Sequence, residues 1–269
     1  LITAAIWGTA FVAQRAGMAH VGPFTFNAVR FALGGLSLLP FLMTKWTRSD
    51  RETAAPRPKF EPGRFSIGAP LFRGTAAAYS FVRNQAGITT AGISAGVLLF
   101  LGSSFQQVGI VYTTAGNAGF ITGLYVILVP LIGLIFGQRP GMLVWAGAVL
   151  AVAGLYFIND APGFALGRGD LLVLFCALFF AVHVLLIGRY SPVYPTVPLS
   201  IIQFFTCSAL SLFAALLTEE IAIERIFAAA VPILYGGVGS VGIAYTLQVI
   251  GQKHAPPAHA AIILSLESV

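Results

Sequence analysis

Long apolar runs alternate with short polar connections along most of the chain. A transmembrane helix needs about 20 predominantly apolar residues, so a run of about that length is a candidate span. Nine segments meet or approach this length, namely 1–13, 24–43, 92–111, 118–136, 142–158, 171–187, 199–217, 226–250 and 258–269. The pattern predicts a membrane protein built entirely of helices.

The two ends of the chain bear on the number of spans. The chain starts at Leu1 rather than Met and stops at Val269 inside an apolar run. We therefore expect a fragment of a protein with about ten transmembrane helices, in which the first and last helices seen here are cut.

One polar connection, residues 45–90, is much longer than the others. It contains prolines and scattered arginines, and the prolines are Pro56, Pro58, Pro62 and Pro70. Proline interrupts helices and a charged segment resists burial, so this pattern favours a disordered or surface-lying segment over a span.

Composition agrees with a membrane location. Hydrophobic residues make up 57% of the chain and charged residues only 9%, whereas an average soluble domain carries about 25% charged residues. The chain is therefore predicted to be an integral membrane protein.

The net charge of +6 is compatible with nucleic acid binding, but the distribution of the charges argues against it. Basic residues fall in the 45–90 connection and in the alternate loops on the same side, and they are Lys45, Arg48, Arg51, Arg57, Lys59, Arg64, Arg73, Arg83, Arg139, Arg189 and Lys253. The opposite loops hold Asp160, Asp170, Glu219, Glu220 and Glu224. An excess of Lys and Arg marks cytoplasmic loops. We predict a multi-pass protein of the cell (inner) membrane, with a cytoplasmic N-terminus and no nucleic acid partner.

The two halves of the sequence resemble each other. An offset of 173 residues places Trp7 on Phe180 and Arg30 on Gln203, and an offset of 142 places Gln106 on Gln248. The long 45–90 connection accounts for the difference between the offsets. Repeats with an odd number of spans lie in the membrane upside down relative to each other. We predict two inverted five-helix repeats, residues 1–160 and 161–269, the second truncated before its last helix.

The segment at 116–130 combines small and polar residues. At about 100° per residue, Gly116, Gly119 and Gly123 form one ridge, while Asn117 and Tyr125 lie almost opposite. Small residues let helices approach closely in lipid, so the ridge is predicted to pack. The opposite face either lines a cavity or makes hydrogen bonds between helices, and the repeat partner places His259 and Glu267 on the matching face.

Four ionisable residues lie inside predicted spans, namely Arg30, His183, His259 and Glu267. Such residues are costly in a bilayer, and Glu267 is by default a functional-site hypothesis. It is either an ion or proton carrier or part of a static pair. Arg30 either holds an anionic group or reaches the headgroups or backbone carbonyls. His183 is either a proton-carrying group or a hydrogen-bonded packing residue.

Neutral polar and aromatic residues complete the predicted substrate-binding set. The full set is Trp7, Arg30, Gln106, Asn117, Thr122, Tyr125, His183, Gln203, Tyr245, Gln248, His259 and Glu267. Cys176 and Cys207 lie in apolar runs and are expected to be packing residues. We predict no metal site and no cofactor.

Four stretches carry a resemblance to a known family. They are WGTAFVAQRAG at 7–17, FNAVRFALGGLSLLP at 26–40, TTAGNAGFITGLYVILVP at 113–130 and HAAIILSLESV at 259–269. In this order, with the repeat, they resemble EamA-type transporters of the drug/metabolite transporter superfamily. The resemblance implies ten helices in two halves around a central cavity bordered by helices 1, 3, 4, 6, 8 and 9. The chain departs from the family in its long 45–90 connection and in having Glu267-Ser268 where the family usually has Glu-Pro, so the helix distortion that proline would cause is not predicted.

These observations lead to one main functional expectation and one alternative. We expect a transporter that moves a small metabolite, an amino-acid-like compound or a drug by alternating access, in the export direction, with a proton or another ion as a candidate for coupling. We do not expect an enzyme, because no HExxH, GxSxG or His-rich set is present. The alternative is a receptor or scaffold that does not transport, in which side chains would fill the centre. Substrate identity and oligomeric state stay open.

Overall fold

A computed structural model describes residues 1–42, 73–138, 140–158 and 167–268, with side chains over 1–42, 86–138, 140–154 and 167–268. Within these ranges the chain is helical and forms no strand. Nine helical segments follow in order: α1 (Ile2–Gly17), α2 (Pro23–Leu42), α3 (Arg73–Tyr112), α4 (Ala115–Ile135), α5 (Met142–Ile158), α6 (Arg168–Tyr190), α7 (Thr196–Thr218), α8 (Ala230–Gln252) and α9 (Pro257–Leu264). A short helix, Ile223–Ala228, precedes α8, and a 3-10 turn, Ser265–Ser268, continues α9.

The helices confirm the predicted all-α membrane fold. Among the described residues, six segments are long and apolar enough to cross a bilayer, namely α2, α4, α6, α7, α8 and the Ala86–Tyr112 part of α3. Helix α5 is apolar but shorter. The nine observed helices match the nine predicted segments in order. The expected tenth helix is not represented in the described ranges.

The long polar connection is shorter than predicted. Helix α3 begins at Arg73, so residues 73–90 are helical rather than disordered, while the part of α3 that is apolar enough to span a bilayer begins at Ala86. The prolines that suggested a connection end at Pro70. The residues after Arg73 include the run Ala76–Ala78, and alanine is the strongest helix former. Residues 43–72, Arg139 and Asp160, on which part of the charge argument rests, lie outside the described residues.

Helix packing relates the two halves of the chain. Helices α2 and α7 pack along each other, and α3 packs against both α6 and α7. If the two halves are equivalent, each helix of α1–α4 corresponds to the helix at the same place in α6–α9. The α3–α6 contact then corresponds to an α8–α1 contact and the α3–α7 contact to an α8–α2 contact, and both are present. This arrangement supports the predicted repeat.

Helix α5 lies at the edge of the bundle. It packs mainly against α4 and α9, and Met142 and Leu143 at its start are exposed. This position agrees with the sequence, because 142–158 offers only Trp145 and Tyr156 as polar-capable side chains.

Glycines occupy the closest helix contacts. A Cβ placed on Gly96 of α3 would lie 2.7 Å from the Gln203 carbonyl oxygen of α7, and one on Gly169 of α6 would lie 2.8 Å from the Gly109 carbonyl oxygen of α3. These glycines allow backbones to approach as helices in lipid require. The predicted ridge of α4 is looser, since a Cβ on Gly119 would be at an ordinary 3.7 Å from Phe11.

Three spans depart from regular α-helix. Helix α4 is interrupted at Leu124, between Ala115–Gly123 and Tyr125–Ile135, and α8 contains a π-helix over Tyr235–Tyr245. The 3-10 turn that ends α9 includes Leu266, which is the repeat partner of Leu124. A distortion therefore occurs at Glu267 although Ser268 replaces proline. The Ser268 hydroxyl donates a 2.7 Å hydrogen bond to the Gly119 carbonyl of α4, which holds this turn in place.

Candidate solute cavity

A narrow cavity of about 40 Å³ lies between the helices of the two halves. Helices α1, α3, α4, α6, α8 and α9 all contribute to its wall, together with α2. Its lining residues are Trp7, Ala10, Phe11, Gln14, Arg30, Gln106, Tyr125, Phe180, His183, Val184, Ser240, Tyr245, Gln248, Leu264 and Glu267. Eight of the twelve residues predicted from the sequence are therefore brought together here.

Arg30 supplies a buried positive charge. The residue is 3% exposed, and its guanidinium carbon lies 5.4 Å and 5.0 Å from the ring centres of Phe26 and Phe31. Its Nε has no hydrogen-bond partner. Within the described residues, no carboxylate comes within 4.0 Å of its guanidinium nitrogens. The cation is supported by aromatic faces but is not neutralised.

Glu267 supplies a buried carboxylate on the 3-10 turn that ends α9. It is 6% exposed and lines the cavity together with Tyr125 of α4. Gly8 lets α1 lie against this turn, because a Cβ there would be only 2.7 Å from the Glu267 carbonyl oxygen. The cavity thus contains one cation and one carboxylate that do not pair with each other.

Aromatic rings form the apolar part of the wall. The Trp7 and Tyr245 ring centres are 4.6 Å apart, and the His183 ring meets Tyr245 edge-on with centres 6.2 Å apart. The Trp7 indole N–H donates a 3.2 Å hydrogen bond to the Ser240 carbonyl in the π-helix of α8. This bond fixes the indole ring at the wall and joins α1 to α8.

Side-chain amides supply neutral polar groups. The Gln106 amide nitrogen donates to the Thr122 hydroxyl at 3.4 Å, and the Gln248 amide nitrogen donates to the Gln252 side-chain oxygen at 3.0 Å. The side-chain oxygens of Gln14 and Gln248 have no partner. Buried polar atoms are usually hydrogen-bonded, so these two oxygens are unsatisfied acceptors in the wall of the cavity.

Four predicted residues do not line the cavity. Thr122 and Gln203 lie behind the wall, where Gln203 is hydrogen-bonded to the His183 ring at 3.0 Å. Asn117 lies at the start of α4, and His259 is exposed near the start of α9. Asn117 shares a helix face with Tyr125 on α4, and His259 shares one with Glu267 at the end of α9. Each pair is eight positions apart along its helix, which is about 12 Å at 1.5 Å per residue.

The sequence interpretation did not select several lining residues, although signals for some of them exist. Ala10, Phe11 and Gln14 follow the selected Trp7 at i+3, i+4 and i+7, which is the spacing of one helix face. Phe180 is the repeat partner of Trp7 at the offset of 173. The helical period and the repeat, applied together, would have selected these residues.

The lining residues are related by the repeat. The offset of 173 pairs Trp7 with Phe180, Ala10 with His183 and Phe11 with Val184, and the offset of 142 pairs Gln106 with Gln248 and Tyr125 with Glu267. Both members of every pair line the cavity. The charged residues break this symmetry, since Glu267 is paired with Tyr125 and Arg30 with Gln203.

Comparison with known proteins agrees with this arrangement. The model of the EamA-like transporter family matches residues 1–160 and 167–269. The chain belongs to the EamA-like transporter family. The family match covers both halves of the chain and accounts for the motifs on α1, α2, α4 and α9.

Two further likenesses extend this result. An uncharacterized transporter of Archaeoglobus fulgidus is 32% identical over 274 residues, which cover 100% of this chain and 73% of the relative. A crystal structure of another protein, 20% identical, superposes with a TM-score of 0.69 over 99% of this chain and 82% of the other. The second likeness shows the fold alone. Together these findings identify a multi-pass membrane protein of a transporter family rather than of an enzyme family.

Proposed function

We propose that the chain forms the pathway of a transporter that moves a small organic solute across the cell membrane by alternating access. The observation that carries this proposal is the cavity whose wall is built from equivalent positions of the two halves. Binding sites of transporters with inverted repeats lie at the repeat interface, near the middle of the membrane. Rocking one half against the other would then expose the same residues to each side in turn.

The proposed orientation follows the charges. Among the described residues, Arg189 and Lys253 lie at the end of the bundle where α1 begins, while Arg15, Arg168 and Arg225 lie at the other end with the acidic residues Asp170, Glu219 and Glu224. The excess of positive charge at the first end comes from the eight Lys and Arg residues of the 45–90 sequence, and on this basis the positive-inside rule favours a cytoplasmic N-terminus. Export is our proposed direction, and it rests on the family resemblance.

Glu267 is the proposed ion-coupling residue. Its carboxylate lines the cavity at a distorted part of α9 and, among described residues, forms no ion pair within 4.0 Å. A carboxylate in this position can bind a proton or a cation in one state and release it in another. Tyr125, His183, Tyr245 and Arg30 share the cavity with it.

The test is transport by the full-length protein in sealed vesicles. A panel of small metabolites, amino-acid-like compounds and drugs would be loaded inside, and efflux would be measured with and without a pH difference. We expect saturable efflux of at least one compound above the rate of protein-free vesicles. Specific binding in the cavity without movement of any bound compound would instead support the receptor alternative.

A further inference from the structure

We propose that the solute carries an anionic group, a carboxylate or a comparable small oxyanion, which binds the guanidinium of Arg30. This inference rests on the proposed solute pathway, and it names the chemical class of the solute. A buried ion without a partner is expensive, and in the described residues Arg30 has neither a carboxylate within 4.0 Å nor a partner for its Nε.

The ordinary explanations of an intramembrane arginine do not fit Arg30. A snorkelling side chain would be exposed at the headgroup level, whereas Arg30 is 3% exposed and lines an internal cavity. A carbonyl-capping arginine would donate hydrogen bonds to backbone oxygens. Arg15 of α1 does so, since its guanidinium donates to the Val111 and Thr113 carbonyls at 2.9 Å and 3.1 Å. Among the described residues, Arg30 donates no such bond.

The π-helix of α8 leaves the space that Arg30 occupies. A Cβ on Gly236 would lie 3.4 Å from the Arg30 Cδ, and a Cβ on Gly237 would lie 2.8 Å from the Leu33 Cβ and 3.1 Å from the Arg30 carbonyl oxygen. A side chain at Gly237 would push α8 away from α2, whereas one at Gly236 would meet the arginine stem at an ordinary contact distance. The close approach at Gly237 therefore places the arginine stem against α8 and leaves its head at the cavity.

The position equivalent to Arg30 shows that the fold does not need a cation there. Gln203 is its repeat partner and uses its side-chain oxygen to bind the His183 ring at 3.0 Å. The amide is a neutral group packed behind the wall. The arginine adds a charge that no anionic group in the described part of the chain neutralises, and an anionic ligand is the partner that would compensate it.

The rest of the wall indicates the body of the anion. Trp7, Phe11, Phe180 and Tyr245 surround the cavity with rings, so a flat or branched apolar group adjoining the anionic group would be buried among them. Phosphate or sulfate alone would leave these rings without a partner. We therefore infer an organic anion with an apolar body.

Binding to the purified full-length protein tests this inference. Trp7 lies in the wall, and its fluorescence would be titrated with phenylacetate and 3-methylbutanoate, each compared with its neutral amide and with the corresponding amine. We expect a saturable change with at least one carboxylate and at least tenfold weaker responses to its amide and amine. A Trp7→Phe variant should remove the change and so show that the signal arises in the cavity.

Substitution of the arginine gives the second arm of the test. Arg30→Gln should weaken carboxylate binding roughly 10- to 100-fold, as loss of a charged hydrogen bond predicts, and Arg30→Lys should retain part of it. Arg225→Gln is the matched control, because Arg225 is exposed on the short helix before α8. Each variant's thermal unfolding would be measured in parallel.

The outcomes separate this inference from the proposed function. The inference is overturned if amides or amines bind as well as the carboxylates, if neither carboxylate binds, or if folded Arg30→Gln binds them unchanged. Should Arg30→Gln fail to fold, the comparison of carboxylates with amides in the unmodified protein still decides. If the protein transports only neutral or cationic compounds, the proposed function holds and the anionic solute is wrong. If carboxylates bind in an Arg30-dependent way but nothing is transported, the anionic ligand holds and the proposed transport function is wrong.

Discussion

Gly8 provides a sharp test of how α1 is seated against the carboxylate-bearing turn of α9. A Cβ at this position would lie 2.7 Å from the Glu267 carbonyl oxygen, and ordinary contacts begin at 3.4 Å. Gly8→Ala must therefore displace backbone by about 0.7 Å, the difference between these distances. Neither partner is a flexible side chain, so the strain cannot be relieved by a rotamer change.

The expected magnitude follows from overpacking. Forcing one extra methyl group into a packed site costs roughly 1–3 kcal/mol, against which the better helix propensity of alanine returns about 1 kcal/mol. We expect net destabilisation of up to about 2 kcal/mol from these two terms. Because the displaced turn carries Glu267, transport should fall as well. Gly119→Ala is the matched control, since its Cβ would be an ordinary 3.7 Å from Phe11.

Thermal unfolding in detergent and transport in vesicles would be measured for both variants of the full-length protein. We expect Gly8→Ala to unfold at a lower temperature and to transport more slowly than the unmodified protein. Gly119→Ala should match or exceed the unmodified protein in stability. The reasoning is refuted if Gly8→Ala is as stable and active as Gly119→Ala.

Three further predictions follow from the wall of the cavity. Trp7→Phe removes the indole hydrogen bond to the Ser240 carbonyl and should lower the free energy of unfolding by about 1 kcal/mol; an unchanged unfolding transition would contradict the role of that bond. Gln203→Leu removes the partner of the buried His183 ring and should cost about 1–3 kcal/mol, whereas Gln138→Leu, at a half-buried position after α4, should cost less. Equal effects on unfolding would show that the bond is unimportant. Glu267→Gln should remove the dependence of transport on pH, and an unaltered pH profile at normal expression would exclude the coupling role.

Much of the fold was predictable because a helix that spans the lipid bilayer must be apolar over about 20 residues, and runs of that kind can be read directly from the sequence. The nine helices follow the apolar runs, and the repeat offsets pair five sets of residues that line one cavity. Periodicity defines a face of a helix but not a depth. For that reason Asn117 and His259 were grouped with Tyr125 and Glu267, although they lie about two turns away from the cavity.

Other features had no adequate local signal. The glycine-rich stretch Tyr235–Tyr245 forms a π-helix, but its sequence does not distinguish a π-helix from an α-helix, since the wider turn depends on packing against α1 and α2. The start of α3 at Arg73 was missed because scattered arginines resemble a loop until the alanine run is considered. The contribution of Arg30 to the cavity depends on Gly236 and Gly237, which are far away in sequence.

Passage of solute through the cavity between the two halves can be tested with a pair of substitutions on one helix. Ser240 lines the cavity and is 3% exposed, whereas Val238, also in the π-helix, is 41% exposed on the outside of the bundle. Solute efflux from vesicles would be compared for full-length Ser240→Trp and Val238→Trp proteins that purify as folded species. We expect Ser240→Trp to block efflux and Val238→Trp to preserve it; equal efflux by both variants would contradict a pathway through this cavity.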